Sequence, residues 1–458
     1  MRTLDEHYDY ISVLSTDSKG TSVRISQHSK SVSNATMTTE RGNVIRAIKD
    51  GHVAEYSFNE LTPENVEEVA REIMEALNEQ LEVLKETDTV VFDTENPDDE
   101  PLLFYTEKEC EVLPEEMDVR ELVDEFTKIS DEGMTKSEHI IDCMVNGQTT
   151  HINKLFLSRK RYLRQSYVYS EGHLVAVMSK EGNTRFAYTG VSGLCGPEVF
   201  KELSEHLDET VRKGEELLEA ERIEPGEYDV IASPEVAGLI AHEAFGHGVE
   251  MDMFVKGRAL GADYIDKRVG SDLVTMHEGA LCAKQVASYA FDDEGTLAGD
   301  VTEIDHGILR TGICDALAAK RLGTSPTGNG KRENFEHKVY TRMTNTIFDS
   351  GEDTLEDMIA SIEFGYLLDG MESGMEDPKH WGIQCILQCG REIKNGKLTG
   401  KIVAPVIMTG YVPDLLGSIS MASSDREVFG TGGCGKGHKE WVKVSDGGPY
   451  LKMKARLG

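Results

Sequence analysis

The chain has 458 residues, a formal net charge of −34 and a low aromatic fraction of 7%. Its length suggests two or three domains with enough apolar material for a large core. The acidic excess argues against nucleic acid and anionic membrane surfaces as partners, since both require a basic surface. The amino terminus has no apolar signal segment and no run is long enough to span a membrane, so we expect a cytoplasmic protein.

Residues 1–223 predict an N-terminal α+β domain with a strand hairpin and helices. The hairpin turns at Asp50-Gly51, between two apolar runs. Three segments have apolar residues at helical spacing: about 62–84, 117–130 and 197–222. Residues 88–118 are acidic and contain proline, which indicates a long solvated connection. A three-strand meander is predicted over 163–189, with turns at 170–172 and 180–183.

Residues 224–458 predict a turn-rich, mixed-β C-terminal domain, so we place the boundary near residue 223. Strands are expected at 228–232, 383–393, 397–408 and 452–457, and loops at 292–306 and 323–332. Thr354 begins a capping box for a short helix. The eight cysteines lack C-x-x-C spacing, and we expect Cys385 and Cys389 to pack in the core.

The strongest chemical signal is His242-Glu243-Ala244-Phe245-Gly246-His247. Two neutral histidines can hold a metal ion, and a glutamate beside them can act as a general base. The preceding residues favour a buried helix, with Ser233 as its N-cap and Pro234 in its first turn. The ordinary alternative is two core histidines that happen to flank a glycine.

The spacing of these histidines has a structural consequence. Residues five apart on a regular α-helix point roughly 140° away from each other, so the two rings would diverge. A π-turn stacks residues five apart and would bring the rings together. Gly246, just before the second histidine, would lower the resistance to that distortion. We therefore expect a bulged or broken helix near Gly246, with some backbone strain.

Two histidines leave a catalytic metal one protein ligand short. The best candidate is Cys434, which lies in the glycine-rich segment 430–437. Glycine lets a backbone approach a metal closely, and a metal or the nearby Lys436 would lower the thiol pKa. The alternatives are an incidental cysteine in a turn or a phosphate-binding loop, although the P-loop pattern is not matched.

Together these motifs resemble the TldD/PmbA family of metallopeptidases, in its TldD-type branch, over nearly the whole chain. The HExxxH segment with Glu250 and Asp252, and Cys434-Gly435-Lys436 near the C-terminus, carry the resemblance. Weaker matches are found at 326–330, 342–345 and 369–382. After Cys-Gly-Lys the family usually has Gly-Gln two or three residues on, where this chain has Gly437-His438-Lys439, so the role of His438 is open.

The resemblance implies that His242, His247 and Cys434 bind Zn²⁺ and that Glu243 activates water. It also implies an extended or unfolded peptide as substrate, and assembly as a homodimer or as a heterodimer with a PmbA/TldE-type paralogue.

On this interpretation a zinc-bound water is the nucleophile and Glu243 takes its proton. Glu250 or Asp252 would orient a ligand histidine. Lys436, His438 or backbone N–H groups of the glycine-rich segment would support the oxyanion.

Two other functions fit the same residues. The protein could be a peptide-binding or scaffold subunit with a structural zinc, which His438 would complete as a fourth ligand. It could also be a metal-dependent amidase acting on non-peptide substrates. The other histidines carry weaker signals: His277-Glu278 lacks a second histidine, and we expect His306, His337 and His380 to be surface or hydrogen-bonded residues.

Overall fold

The computed structural model describes residues 4, 6–34, 39–86, 100–107, 110–436 and 439–458. It has a mixed α+β fold with two large sheets, which confirms the predicted fold class. The helices are α1 (Val66–Lys85), α2 (Val119–Met134), α3 (Glu202–Glu205), α4 (Leu207–Leu218), α5 (Pro234–Ala241), α6 (Asp252–Val255), α7 (Ala316–Leu322), α8 (Leu355–Ala360) and α9 (Val412–Gly417). Among the described residues, no helix combines the length and apolar character needed to cross a membrane.

The first sheet has eight strands from the N-terminal half of the chain. They are β1 (Tyr10–Ile25), β2 (Lys30–Ser33), β3 (Arg41–Lys49), β4 (His52–Phe58), β5 (Leu102–Glu107), β6 (Ile140–Ser158), β7 (Arg161–Lys180) and β8 (Asn183–Gly193). Their order is β4-β3-β1-β6-β7-β5, with β2 beside β1 and β8 beside β7. The predicted hairpin is confirmed, and Asp50 and Gly51 have the positive φ angles of 50° and 78° that a tight hairpin turn requires.

Three predictions for this half were wrong in detail. Residues 170–172 continue β7 instead of turning, because Glu171 pairs with β6 on one side and β8 on the other. The predicted helix over 197–222 is broken into a 3₁₀ turn, α3 and α4. Within the predicted connection 88–118, residues 102–107 form β5, parallel to β7. The rest of that connection includes 88–99 and 108–109, which lie outside the described residues.

The second large sheet has eleven strands, and two small two-stranded sheets lie beside it. The strands of this half are β9 (Gly226–Ala232), β10 (Met276–Glu278), β11 (Val301–Asp305), β12 (Ile308–Leu309), β13 (Gly330–Lys331), β14 (Tyr340–Thr341), β15 (Asn345–Phe348), β16 (Phe364–Asp377), β17 (Gly382–Lys394), β18 (Lys397–Val403), β19 (Val406–Tyr411), β20 (Met421–Phe429), β21 (Gly433–Lys436), β22 (Lys439–Lys443) and β23 (Ser445–Leu457). The large sheet has the order β12-β11-β10-β15-β23-β19-β17-β16-β9, with further pairing of β9 to β23.

Several local predictions for this half are confirmed. Thr354 caps α8 by accepting a hydrogen bond from the Asp357 N–H, and Cys385 and Cys389 are buried in β17. The predicted strand 397–408 is interrupted at Ala404-Pro405, and short strands β11 and β13 occupy parts of the predicted loops. The boundary near residue 223 stays a prediction, although the two large sheets lie on either side of it in sequence.

The helix that carries the HExxxH segment rests on the second sheet. Strand β9 leads directly into Ser233, whose side chain accepts a hydrogen bond from the Val236 N–H and caps α5 as predicted. Helix α5 packs on β23 and β16, and all its residues except Glu235 are buried. His242 therefore follows the end of a largely buried helix that packs on the sheet.

Candidate metal centre

The HExxxH segment adopts the π-turn that its spacing predicts. Residues His242–Gly246 form one π-helical turn after α5, and His247–Val249 continue as a 3₁₀ turn. The His247 N–H donates to the His242 carbonyl, which is the i→i+5 bond that defines this geometry. The two rings consequently meet, with their centroids 5.2 Å apart and their planes at 84°.

The expected backbone strain is absent, and Gly246 has a different role from the one predicted. Gly246 has φ −59° and ψ −61°, which is ordinary right-handed helical backbone. A Cβ atom at this position would lie 2.1 Å from Sδ of Met343. The prediction that glycine provides backbone freedom here was wrong: glycine is needed because the Met343 side chain packs against the π-turn.

Cys434 lies 187 residues after His247 in sequence, but the structure places it next to both histidines. Cys434 lies on β21, opposite Val442 of β22, and its Sγ is 3.2 Å from Nε2 of His247. One ligand atom from each of His242, His247 and Cys434 lies within 4.8 Å of the others. His242 and Cys434 are each 5% exposed, so the three donors face each other in a largely buried site.

The charges of these side chains are coupled. Burial raises the pKa of Cys434, but His247 and His242 outweigh burial and hold that pKa well below its usual range. Burial lowers the pKa of His242, but the Cys434 thiolate opposes it and raises the pKa to about 9. The pKa of His247 is likewise raised well above its usual value, despite burial, by Cys434 and Glu250. Without a metal ion, these interactions favour the thiolate form of Cys434 and the protonated forms of His242 and His247.

Glu250 lies against His247, one of the two histidines of the HExxxH segment. Its Oε2 is 3.2 Å from Nδ1 of His247, which leaves Nε2 of that ring facing Cys434. Glu250 is 1% exposed, and Arg342 and Lys436 neutralise it: Arg342 Nε lies 3.3 Å from Oε1 and Lys436 Nζ lies 3.1 Å from Oε2. Burial raises the pKa of Glu250, but Lys436, His247 and Arg342 together lower it well below the usual range.

Asp252 and Lys436 have supporting positions in this network. The Lys436 ammonium lies 2.6 Å from Asp252, 3.1 Å from Glu250 and 3.2 Å from the Thr341 carbonyl. Lys436 donates hydrogen bonds to Asp252 and the Thr341 carbonyl and forms an ion pair with Glu250, so its ammonium is held by acceptors of the chain. The largest influences that lower the pKa of Cys434 are His247 and His242. His438 lies outside the described residues.

Glu243 follows His242 in the π-turn, and its side chain lies against strand β16. It is 8% exposed, and a Cβ atom at Gly374 would lie 2.4 Å from its Cγ and 2.8 Å from its Oε1. The absence of a side chain at residue 374 therefore creates the space that the Glu243 carboxylate occupies.

Sequence reasoning missed three polar residues around the site. Arg342 is fully buried, and its Nη2 donates to both the carbonyl and the Sγ of Cys434, at 3.1 and 3.0 Å. Asp446 is buried near His242 and Glu243, and burial raises its pKa to about 6. Glu376 faces the same region, and burial raises its pKa well above its usual range. Arg342 and Glu376 lie in segments that resembled the family (342–345 and 369–382), whereas no local pattern marks Asp446.

The comparisons with known proteins agree with this geometry. The model of the PmbA/TldA metallopeptidase C-terminal domain matches residues 225–455, which is half of the chain and includes all three donors. The protein belongs to the PmbA/TldD family of metallopeptidases.

Several named relatives are similar to this chain at moderate sequence identity. A metalloprotease of Methanocaldococcus jannaschii is 28% identical over 373 residues, which cover 77% of this chain and 81% of that protein. A zinc metalloprotease TldD homologue of Saccharolobus solfataricus is 32% identical over 232 residues, which cover 50% of this chain and 51% of that protein. The crystal structure of TldE from Thermococcus kodakarensis aligns with this chain with a TM-score of 0.75 and 17% sequence identity. The alignment covers 100% of this chain and 98% of the TldE chain, so the two proteins share the fold.

The raised histidine pKa values predict how the metal-free site takes up zinc. Because the pKa of His242 is raised to about 9 and that of His247 is also raised, whereas that of Cys434 is lowered, zinc binding should displace a proton from each histidine. We expect release of about two protons per zinc at neutral pH and an affinity that rises with pH until about 9. Calorimetric zinc titrations in buffers of different ionisation enthalpy measure the number of protons released. Proton release near zero would contradict the protonated state of the two histidines.

Proposed function

We propose that the protein is a zinc-dependent peptidase that hydrolyses extended or unfolded peptides, with Glu243 as general base. The observation that carries this proposal is the convergence of His242, His247 and Cys434, with Glu243 next to His242 in the same π-turn. The name of the Saccharolobus solfataricus relative, a zinc metalloprotease homologue, supports the choice of metal.

The donor set fits a zinc ion. Two imidazoles and one thiolate are ligands that zinc favours, and a three-residue set corresponds to a catalytic site with an open position. Glu250 engages Nδ1 of His247, which leaves Nε2 of that ring available for the ion. Nδ1 of His242 is buried without a hydrogen-bond partner among the described residues, so no polar group of those residues engages it. Zinc bound here supplies Lewis acidity, which polarises a peptide carbonyl and makes water more acidic.

Other roles in the proposed reaction belong to side chains around the ion. Glu243 takes the proton from the attacking water and can return it to the leaving amine. Glu250 holds His247 in orientation, and Arg342 holds Cys434 by donating to its sulfur. Because Lys436 is engaged by carboxylates, backbone N–H groups of the glycine-rich segment are the better oxyanion donors.

Strand β16 offers a place for an extended peptide. It pairs with β17 along most of its length but with β9 only over Gly365–Leu368. Beyond Leu368, no strand among the described residues pairs with its other edge, and Gly374 in this free segment lies against Glu243. An extended peptide that hydrogen-bonds to this edge would have its backbone beside the general base.

The central experiment combines metal analysis with peptide digestion. We expect the purified protein to contain zinc, to cleave an unstructured peptide, and to lose and regain that activity on chelation and zinc addition. Zinc without cleavage would favour the scaffold alternative with a structural ion, and cleavage only of non-peptide amides would favour the amidase alternative.

The space at Gly374 gives a second test of Glu243. In Gly374→Ala the new methyl group would collide with the Glu243 side chain and displace its carboxylate. We expect kcat/KM to fall about 100-fold with zinc content unchanged, since small misplacements of catalytic groups have effects of that order. Gly382→Ala is the matched control on the paired strand, because its Cβ would meet no heavy atom within 4 Å. Equal activity of the two variants would contradict the proposed position of the base.

We further propose a cytoplasmic protein that assembles as a homodimer or with a PmbA/TldE-type paralogue. Co-purification from the native source, followed by mass measurement of the intact complex, distinguishes the two assemblies; a monomer would contradict both.

A further inference from the structure

A second group of metal-ligating side chains lies outside the Cys434 site. Glu333, His337 and Glu440 each direct one ligand atom to a common point, and these atoms lie within 4.8 Å of one another. Nδ1 of His337 is 3.6 Å from Oε2 of Glu333 and 3.5 Å from Oε1 of Glu440. Both distances are longer than the 2.7–3.2 Å of a typical N–H···O bond, so the imidazole is hydrogen-bonded to neither carboxylate.

A comparison within the molecule shows why this arrangement differs from an ordinary ion pair. His277 also lies between two carboxylates, but Asp300 is 2.7 Å from its Nδ1 and Asp349 is 3.3 Å from its Nε2. Those carboxylates bind opposite nitrogens of one ring, so no single ion can contact all three groups. At His337 both carboxylates face the same nitrogen, which is the arrangement of a chelating site.

The charge of the group is not balanced by its surroundings. Oε2 of Glu440 is buried and has no hydrogen-bond partner among the described residues. Within the same residues, neither Glu333 nor Glu440 has a lysine or arginine nitrogen within 4.0 Å of its carboxylate. Two carboxylates with one imidazole therefore need a cation, and a buried, unpaired carboxylate oxygen is costly without one.

The site is also pre-oriented. Oε2 of Glu333 accepts hydrogen bonds from the backbone N–H groups of Glu440 and Trp441, at 2.9 and 3.2 Å. The side chain of His337 is 33% exposed, which leaves an approach from solvent. Oxygen ligands with one imidazole suit Mn²⁺, Fe²⁺ or Zn²⁺, whereas thiolate ligands select zinc over manganese.

We propose that Glu333, His337 and Glu440 form a second divalent-cation site, which links the hairpin β21–β22 to the segment 333–337. Glu440 and Cys434 lie on opposite strands of this hairpin, and Arg342 donates both to the Glu440 carbonyl and to Cys434. A cation bound to Glu440 would therefore restrain the strand pair that carries the third ligand of the catalytic site.

Mn²⁺ distinguishes the proposed second site from the Cys434 site, because a thiolate ligand disfavours manganese. Titration of the full-length protein with Mn²⁺, followed by electron paramagnetic resonance, should show one bound ion per chain in wild type and in Cys434→Ser. His337→Ala and Glu440→Gln should lower the affinity about tenfold or more, since even indirect partners of a metal site contribute that much. His277→Ala, which alters the other histidine with two carboxylates, should bind Mn²⁺ as wild type does.

The same titration can be followed by amide hydrogen exchange. Mn²⁺ should slow exchange of Trp441, Val442 and Lys443 in wild type but not in His337→Ala. Absence of bound Mn²⁺ in wild type, or undiminished binding in both site variants, would overturn the proposal. Binding with unchanged exchange would overturn the role assigned to the hairpin. These readouts do not depend on peptidase activity, so their failure is distinguishable from failure of the proposed function.

Discussion

Replacing Glu243 with glutamine is expected to lower kcat/KM for peptide hydrolysis by about 10²- to 10⁴-fold, the usual contribution of a general base. Glutamine keeps the shape of the side chain and fits the space at Gly374, but it cannot accept a proton from water. Steady-state kinetics on an unstructured peptide measures the effect, and zinc content should equal that of wild type.

The zinc content of Glu243→Gln distinguishes a catalytic role of Glu243 from a structural role. His242 precedes Glu243 directly, so a variant that disturbed the π-turn would lose both metal and activity. A Glu243→Gln protein that binds zinc and still cleaves peptide at the wild-type rate would contradict the proposed mechanism.

Replacing Cys434 with serine is expected to remove the catalytic zinc. A serine hydroxyl is a far poorer zinc ligand than the thiolate, whose pKa the two histidines keep low. We expect one zinc fewer per chain than in wild type, and an affinity lower by about 100-fold or more, since indirect partners of a metal already contribute 10- to 100-fold. Cobalt substitution gives a specific readout, because the Co²⁺–thiolate absorption should disappear.

Cys282→Ser is the matched control for this variant. Cys282 donates from its Sγ to the Asn345 carbonyl at 3.0 Å, and a serine hydroxyl can make the same bond. Its zinc content and cobalt spectrum should match those of wild type. A thiolate signal that survives in Cys434→Ser but is lost in Cys282→Ser would move the third ligand to another cysteine.

Some features of the candidate site could be predicted from local sequence. The five-residue spacing of His242 and His247 predicts a π-turn, because helix geometry alone determines where residues five apart point. Ser233 and Thr354 were recognised as N-caps for the same reason, since the bonds that they accept come from residues three positions away. Cys434 was found because glycine-rich sequence around one cysteine is an unusual local pattern.

Other features depend on contacts that local sequence does not encode. Gly246 reads as a flexible position, yet its backbone is regular and Met343, nearly a hundred residues away, explains the missing side chain. Lys436 reads as a group for the thiol or the oxyanion, yet Glu250 and Asp252 engage it. Residues 102–107 lie within an acidic stretch that was predicted to be a solvated connection, but they form a strand because β7 supplies hydrogen-bond partners.

The sequence by itself therefore determined the family and the shape of the turn that presents His242 and His247, and it nominated these residues with Cys434 as metal donors. The family follows from the motifs, and the turn follows from backbone geometry over a few residues. Only the tertiary structure decided which buried charges surround these residues, where the Glu243 side chain lies, and which histidine lies between two carboxylates that have no lysine or arginine partner among the described residues. Those properties depend on distances between segments far apart in the chain, which are set by sheet pairing and packing.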